Sequence, residues 1–146
     1  MGQSWSPDLT LNHEELDRDH VELFRRLDSA AQALDRGPRE VAGAISAFAD
    51  VLLVHLAREE ALMDETGYPE RTRHRAAHEL FLADLARARA DLATPGSGAA
   101  AADWVRTRAP EWLRFHIRVN DAPLVTWLAR RRERPFPPDA SVRRPS

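Results

Sequence analysis

Ile45-Ser46-Ala47-Phe48-Ala49-Asp50-Val51-Leu52-Leu53-Val54-His55-Leu56-Ala57-Arg58-Glu59-Glu60-Ala61-Leu62 decides the fold. Its apolar residues Ile45, Phe48, Leu52 and Leu62 recur at the three-and-four spacing of one helix face. The same face carries two polar residues, His55 and Glu59. They are four apart and so point the same way. A helix whose buried stripe includes an imidazole and a carboxylate is not an ordinary core helix, because each such group needs a partner once it leaves water.

The pattern repeats on both sides. Residues 12–36 read as a first helix with the stripe Leu16, His20, Leu23, Phe24, Leu27 and Leu34, and Asn12 with Glu15 offers a capping box, with Asp17 a later possible start. The second helix covers about 39–66, with Gly67 placed to end it. The third covers about 70–93 and buries His74, His78, Phe81, Leu85, Ala88 and Leu92. The fourth lies within 99–132 and contains Pro110 and Pro123, with Leu113, Ile117, Leu124 and Leu128 on its apolar side. Gly37-Pro38, Gly67-Tyr68-Pro69 and Pro95-Gly96-Ser97-Gly98 are the turns between them. Four helices joined by short turns predict an all-α, antiparallel up-down-up-down four-helix bundle. Its single domain is expected over residues 1–132, beginning with an extended N-terminal arm. Residues 133–146, rich in arginine and proline, are expected to be a disordered tail.

Composition narrows the chemistry. The chain has 146 residues, 43% hydrophobic and 30% charged, which suits one globular domain. It has no cysteine, which excludes disulfides, thiolate metal sites and thiol catalysis. Any metal must therefore be held by nitrogen and oxygen. The net charge of −2 gives no reason to expect a nucleic-acid partner. All 21 basic residues are arginine, a bias with no functional account. No uninterrupted apolar run approaches the roughly 18 residues of a membrane span, so no membrane partner is expected. With no secretory signal, a cytoplasmic location is the default.

Five of the six histidines fall on faces predicted to be buried. His55 and Glu59 are four apart, as are His74 and His78; His116 and Asp121 are five apart; His20 sits among leucines. Taken singly, each is an ordinary hydrogen-bonded core residue. Taken together, five imidazoles and two carboxylates facing one interior leave many buried polar groups without partners, and a metal centre satisfies them at once. One ion does not use seven such ligands comfortably, whereas two do if the carboxylates bridge. A mixed nitrogen and carboxylate set favours iron. The Glu-x-x-His motifs of the ferritin-like carboxylate bundles are absent.

The spacing of His116 and Asp121 poses its own problem. A regular α-helix turns about 100° per residue, so the two side chains stand roughly 140° apart. Either they occupy the two edges of a wide inner face, or a π-type turn or kink brings them together. Pro123 favours the second solution, because it lacks an N–H and crowds the preceding turn.

With these residues in place, the chain resembles the hemerythrin family, specifically the single-domain bacterial hemerythrins. The resemblance rests on Trp5, Leu16-Asp17-Arg18-Asp19-His20, His55-x-x-x-Glu59-Glu60, Gly67-Tyr68-Pro69, His74-x-x-x-His78-x-x-Phe81 and Trp112-Leu113-x-x-His116-x-x-x-x-Asp121. It implies two non-haem irons joined by a solvent-derived oxo or hydroxo bridge. His74, His78 and His116 would hold one iron and His20 and His55 the other, with Glu59 and Asp121 bridging. The iron with two histidines is one ligand short, and dioxygen is expected at that vacancy. Leu56, Met63, Trp112, Leu113 and Ile117 are the candidates for the oxygen pocket, beside a plain packing role. The implied function is reversible dioxygen binding for carriage, storage or delivery, with no catalysed turnover. The alternatives are an oxygen, redox or iron sensor working through a separate protein partner, and a di-iron peroxidase or nitric-oxide-consuming enzyme. Two departures from the family pattern stand out. Asp19 replaces a usual glutamine, and Leu56 replaces an aromatic, which implies a looser pocket. His13, seven residues before His20, is read as a helix-start residue rather than an eighth ligand.

Overall fold

The computed structural model describes residues 5–133, without the side chain of the last. The expected tail lies, except for its first residue, outside the described residues. A 3-10 turn, Pro7–Leu9, opens the described chain, and Trp5, Leu9 and Leu11 pack on the core, so the arm is not simply extended. Then come α1 (Glu14–Ala33), α2 (Pro38–Thr66) and α3 (Arg71–Ala93). The fourth arm is built from α4 (Gly98–Asp103), α5 (Ala109–His116) and α6 (Ala122–Glu133). No strand occurs among the described residues. Neighbours in sequence pack against each other, and the fourth arm closes back on α1, giving the all-α four-helix bundle.

Local chemistry explains the boundaries. The first helix starts two residues later than expected. Asn12 has φ 63, a left-handed conformation that cannot begin the helix. His13 caps instead, its Nδ1 accepting the Leu16 N–H at 3.2 Å. Asp17 reaches back to accept the N–H groups of Leu11 and His13 at 2.9 and 3.2 Å. The capping box expected of Asn12 and Glu15 is thus replaced by one built from His13 and Asp17. Leu34 to Arg36 form a 3-10 turn rather than the last turn of α1. Pro38 opens α2 at the position where a missing N–H costs nothing. Gly67 closes it at φ 68, left-handed as the sequence suggested.

The fourth arm is not a plain α-helix. Trp104–Arg108 and Ile117–Asp121 are π-helical turns, in which Ala109 N–H donates to Trp104 O and Ala122 N–H to Ile117 O. Each donor is the alanine just before a proline. Pro110 and Pro123 have no N–H for the carbonyls of Arg106 and Val119, and their rings crowd those carbonyls. The chain widens by one residue instead. The turn between His116 and Asp121 is therefore the π-type solution, and the one before Pro110 has the same design.

The core has two parts. The larger contains Phe24, Phe48, Leu52, Leu56, Phe81, Trp104, Leu113 and Ile117 among others. The smaller contains Met63, Tyr68, Leu124 and Leu128. Along α2 the ligand candidates His55 and Glu59 fall between Leu52 and Met63, and along the fourth arm His116 and Asp121 fall between Leu113 and Leu124. A polar layer thus separates two apolar clusters. By length and composition α2 also has the apolar character of a membrane-crossing helix, its window of mean hydropathy 1.6 being 39% buried. Leu53 and Val54 on its outer side are exposed.

Candidate metal centre

All seven side chains of the polar layer are buried: His20, His55, Glu59, His74, His78, His116 and Asp121 are each no more than 2% exposed. Among the described residues no arginine is buried with them. Their inward atoms form two overlapping groups. Glu59, His74, His78, His116 and Asp121 make one, and His20, His55, Glu59 and Asp121 the other, with ligand atoms in each within 4.8 Å of one another. The two carboxylates are the shared members.

The oxygens divide between the groups. Glu59 Oε1 lies 3.0 Å from both His74 Nε2 and His78 Nε2, while Glu59 Oε2 lies 3.1 Å from His55 Nε2. Asp121 Oδ1 lies 3.1 Å from His74 Nε2 and from His116 Nε2, while Asp121 Oδ2 lies 2.9 Å from His20 Nε2. Each carboxylate turns one oxygen to the three-histidine side and the other to the two-histidine side. The π-turn makes this possible for Asp121: a turn closed five residues apart sets residues 116 and 121 on one side of the helix.

Outer carboxylates fix which nitrogen faces inward. His55 Nδ1–H donates to Asp19 Oδ2 at 3.0 Å, and His78 Nδ1–H donates to Glu60 Oε2 at 2.9 Å. An ionised carboxylate only accepts, so the proton sits on Nδ1 and the Nε2 lone pair is left facing in. Each carboxylate is held in turn by an arginine. Arg58 Nε donates to Asp19 at 2.9 Å, and Arg75 Nε to Glu60 at 3.4 Å.

A lone pair aimed at a carboxylate oxygen 3 Å away needs a positive charge between them. Protons or metal ions are the two candidates. In the metal-free protein His55 and His74 supply it as protons. Burial lowers the His55 imidazole, but the Glu59 charge 3.1 Å away and the hydrogen bond to Asp19 outweigh it and lift the group to about 10. His74 is likewise pushed down by burial and lifted to about 9 by Asp121 and Glu59. Burial and mutual repulsion raise Glu59 and burial raises Asp121, yet the surrounding histidines hold both carboxyls well below the usual range. Even so, Glu59 Oε2, Asp121 Oδ1, His55 Nε2 and His116 Nε2 have no hydrogen bond of sound geometry. Each such orphan costs roughly 1–3 kcal/mol. The donor set is short of positive charge and suits divalent or trivalent cations of the nitrogen-and-oxygen class.

Among the pocket candidates, Leu56, Leu113 and Ile117 are buried in the larger cluster and Met63 in the smaller. Trp112 is half-buried and stacks on His116 and on Phe81. His13 serves as the cap of α1 and stands apart from both ligand groups. Sequence reasoning singled out neither Asp19 as a holder of His55 nor Glu60 as a holder of His78. For Glu60, the available signal was its place next to Glu59 on the edge of α2 that meets α3.

The comparisons with known proteins agree with this geometry. A family model, the hemerythrin HHE cation binding domain, matches residues 11–128. The chain is 32% identical over 120 residues to a bacteriohemerythrin of Stenotrophomonas maltophilia, covering 80% of this chain and 75% of that one. It is 33% identical over 127 residues to a bacteriohemerythrin of Ralstonia nicotianae, covering 87% and 89%. It is also 28% identical over 117 residues to myohemerythrin-1 of Phascolopsis gouldii, covering 80% and 87%.

Proposed function

Because the chain belongs to the hemerythrin family, we propose that its buried centre holds two non-haem irons and binds dioxygen reversibly, for carriage, storage or delivery. The observation that carries this reading is the split of the carboxylate oxygens: Glu59 and Asp121 each offer one oxygen to either side of the layer. His74, His78 and His116 would hold one ion and His20 and His55 the other. The two-histidine side offers one nitrogen fewer, so an ion held there would keep a position open for dioxygen. Bound iron supplies the two electrons that dioxygen takes up reversibly.

The chain's own residues set the conditions. Asp19 and Glu60 accept the Nδ1–H of His55 and His78 and so aim the two Nε2 atoms inward. Leu56, Met63, Leu113 and Ile117, all buried, line the layer with apolar surface and exclude water.

The test is an absorption spectrum of iron-loaded protein, deoxygenated and then exposed to air, together with a metal count. Two irons per chain and an oxygen-dependent near-ultraviolet and visible charge-transfer band are expected. A colourless protein from iron-replete cells, holding mainly zinc, refutes the function and leaves the fold intact.

A further inference from the structure

Four rings stack face to face in a line that leads away from the centre to Trp104, a buried indole whose N–H meets a half-buried carboxylate. The His116 imidazole stacks on Trp112 with ring centres 4.5 Å apart and 11° between planes. Trp112 stacks on Phe81 at 4.0 Å and 13°, and Phe81 on Trp104 at 5.9 Å and 22°. Trp104 ends the series, its Nε1–H donating to Asp84 Oδ2 at 2.8 Å. The Asp84 side chain is 19% exposed, and Arg108 reaches its other oxygen at 2.8 Å. Ring pairs also settle into edge-to-face contact, as Phe48 does against Phe81 and Trp104 at 85° and 75°. Among the described residues the three near-parallel stacks all lie on the line that starts at a ligand candidate. Tyr68 and Trp127 form a separate pair, 5.9 Å apart and tilted, with no stack onto a ligand imidazole.

We propose that this line carries oxidising equivalents out of the di-iron centre, with Trp104 as the terminal holder and Asp84 as acceptor of its indole proton. The inference rests on iron occupying the centre. Electron tunnelling weakens steeply with the gap between rings, and stacked rings minimise the gap. Indole is among the most easily oxidised side chains. The phenyl ring of Phe81 is too hard to oxidise to hold the charge, so it bridges the two indoles. Oxidised indole becomes about as acidic at Nε1 as a carboxylic acid, and among the described residues only Trp104 donates that N–H to a carboxylate.

The oxidant is hydrogen peroxide, a product that adventitious oxygen reduction supplies. Reducing one peroxide to two waters takes two electrons and two protons. Iron held there as a ferrous–ferric pair would supply one electron in passing to the diferric state. Trp104 gives the second through Phe81 and Trp112, passes its indole proton to Asp84, and becomes a neutral radical. The two protons for water come from solvent. A small anionic one-electron donor then returns an electron to Trp104 while Asp84 returns the proton. Arg87 and Arg108, 70% and 55% exposed beside Asp84, give such an anion a place to approach. The route spares the ligand imidazoles and the buried Met63 from oxidation.

The experiment uses iron-loaded full-length protein, oxidised by one equivalent of ferricyanide, mixed with hydrogen peroxide and frozen for electron paramagnetic resonance. Iron content and the oxygen-dependent visible band, measured on the same sample, report the proposed function separately from the route. A neutral tryptophan radical is expected. It is lost in Trp104→Phe and in Trp112→Phe, persists in Trp127→Phe, and decays faster when ascorbate is added. Asp84→Asn keeps an acceptor for the indole N–H but no base, and is expected to abolish the neutral radical. This half-buried residue lies outside the core, so its variant tests the route even if a core variant fails to load iron. With two irons bound, three results overturn the proposal: no protein radical, a tyrosyl radical on Tyr68, or a neutral tryptophan radical of undiminished yield in Trp104→Phe or Asp84→Asn.

Discussion

Asp19→Ala and Glu60→Ala form a matched pair of perturbations that act on opposite sides of one centre. Asp19 holds His55, which belongs to the two-histidine group; Glu60 holds His78, which belongs to the three-histidine group. Removing an outer partner of a metal-ligating histidine costs about 10–100-fold in metal affinity, or about 1.4–2.7 kcal/mol. The two losses are not expected to be equal. The Asp19 side chain is 16% exposed and the Glu60 side chain 32%, so water screens Glu60 more and replaces it more readily. Asp19 is also gripped more tightly, with its arginine at 2.9 Å against 3.4 Å for Glu60. Asp19→Ala is therefore expected near the upper end of the range and Glu60→Ala near the lower. Asp19→Asn, whose amide oxygen still accepts the His55 N–H, falls between wild type and Asp19→Ala. Iron retained during titration with a chelator measures the loss, and the spectrum of the remaining ion says which side lost it. Asp19→Ala is expected to empty the two-histidine side first, and Glu60→Ala the three-histidine side. If both variants release both ions together, or neither releases any faster than wild type, the assignment of one outer carboxylate to each side is wrong.

Glu59→Ala and Asp121→Ala remove a ligand shared by both sides, so both ions are expected to weaken, whereas His20→Ala and His55→Ala mainly damage one; metal counting on the four variants decides. In the metal-free protein, His55 and His74 titrate above their unfolded value of 6.5 and Glu59 and Asp121 below theirs. The histidine contribution is then fully present below pH 6.5 and is lost as pH rises toward 9–10, while the carboxylate contribution is lost as pH falls below about 4. Denaturation midpoints of the metal-free protein should accordingly peak in the weakly acidic range and decline on the alkaline side, and a flat alkaline limb would contradict the charge balance of the layer. Pro123→Ala returns an N–H to the Val119 carbonyl and lets an α-turn close, which swings Asp121 toward the roughly 140° separation of a regular helix; faster iron release is expected, and unchanged release would show that the turn does not depend on the proline.

The bundle, its turns and the seven buried polar residues were legible because periodicity and histidine spacing act along one chain. What was missed depends on contacts between helices. Asp19 sits on α1 and His55 on α2, and no spacing rule links them. Glu60 looks like a surface residue in isolation because its partner His78 arrives from α3. Asn12 looked like a cap by residue type, but its left-handed backbone passed that task to His13. The π-turn at Asp121 was one of two solutions open to the sequence, raised by a spacing of five and a following proline. The turn at Trp104 carries the same Ala-Pro sign without a ligand to draw attention to it.

The division of the core into two apolar clusters has a consequence for how the molecule breathes. Met63, Tyr68, Leu124 and Leu128 meet the rest of the interior chiefly across the ligand layer. With cations in that layer, the small cluster is cross-linked to the large one from all four arms. Without them, it is a short end-cap of four buried side chains, too few to make a cooperative unit as stable as the remainder. Amide hydrogens of α2 beyond Glu59 and of α6 are then expected to exchange with solvent deuterium well before those around Phe48. Metal loading should slow them to the rate of the whole. That end of the bundle is thus expected to open first in the metal-free protein, and a seated metal to latch it shut.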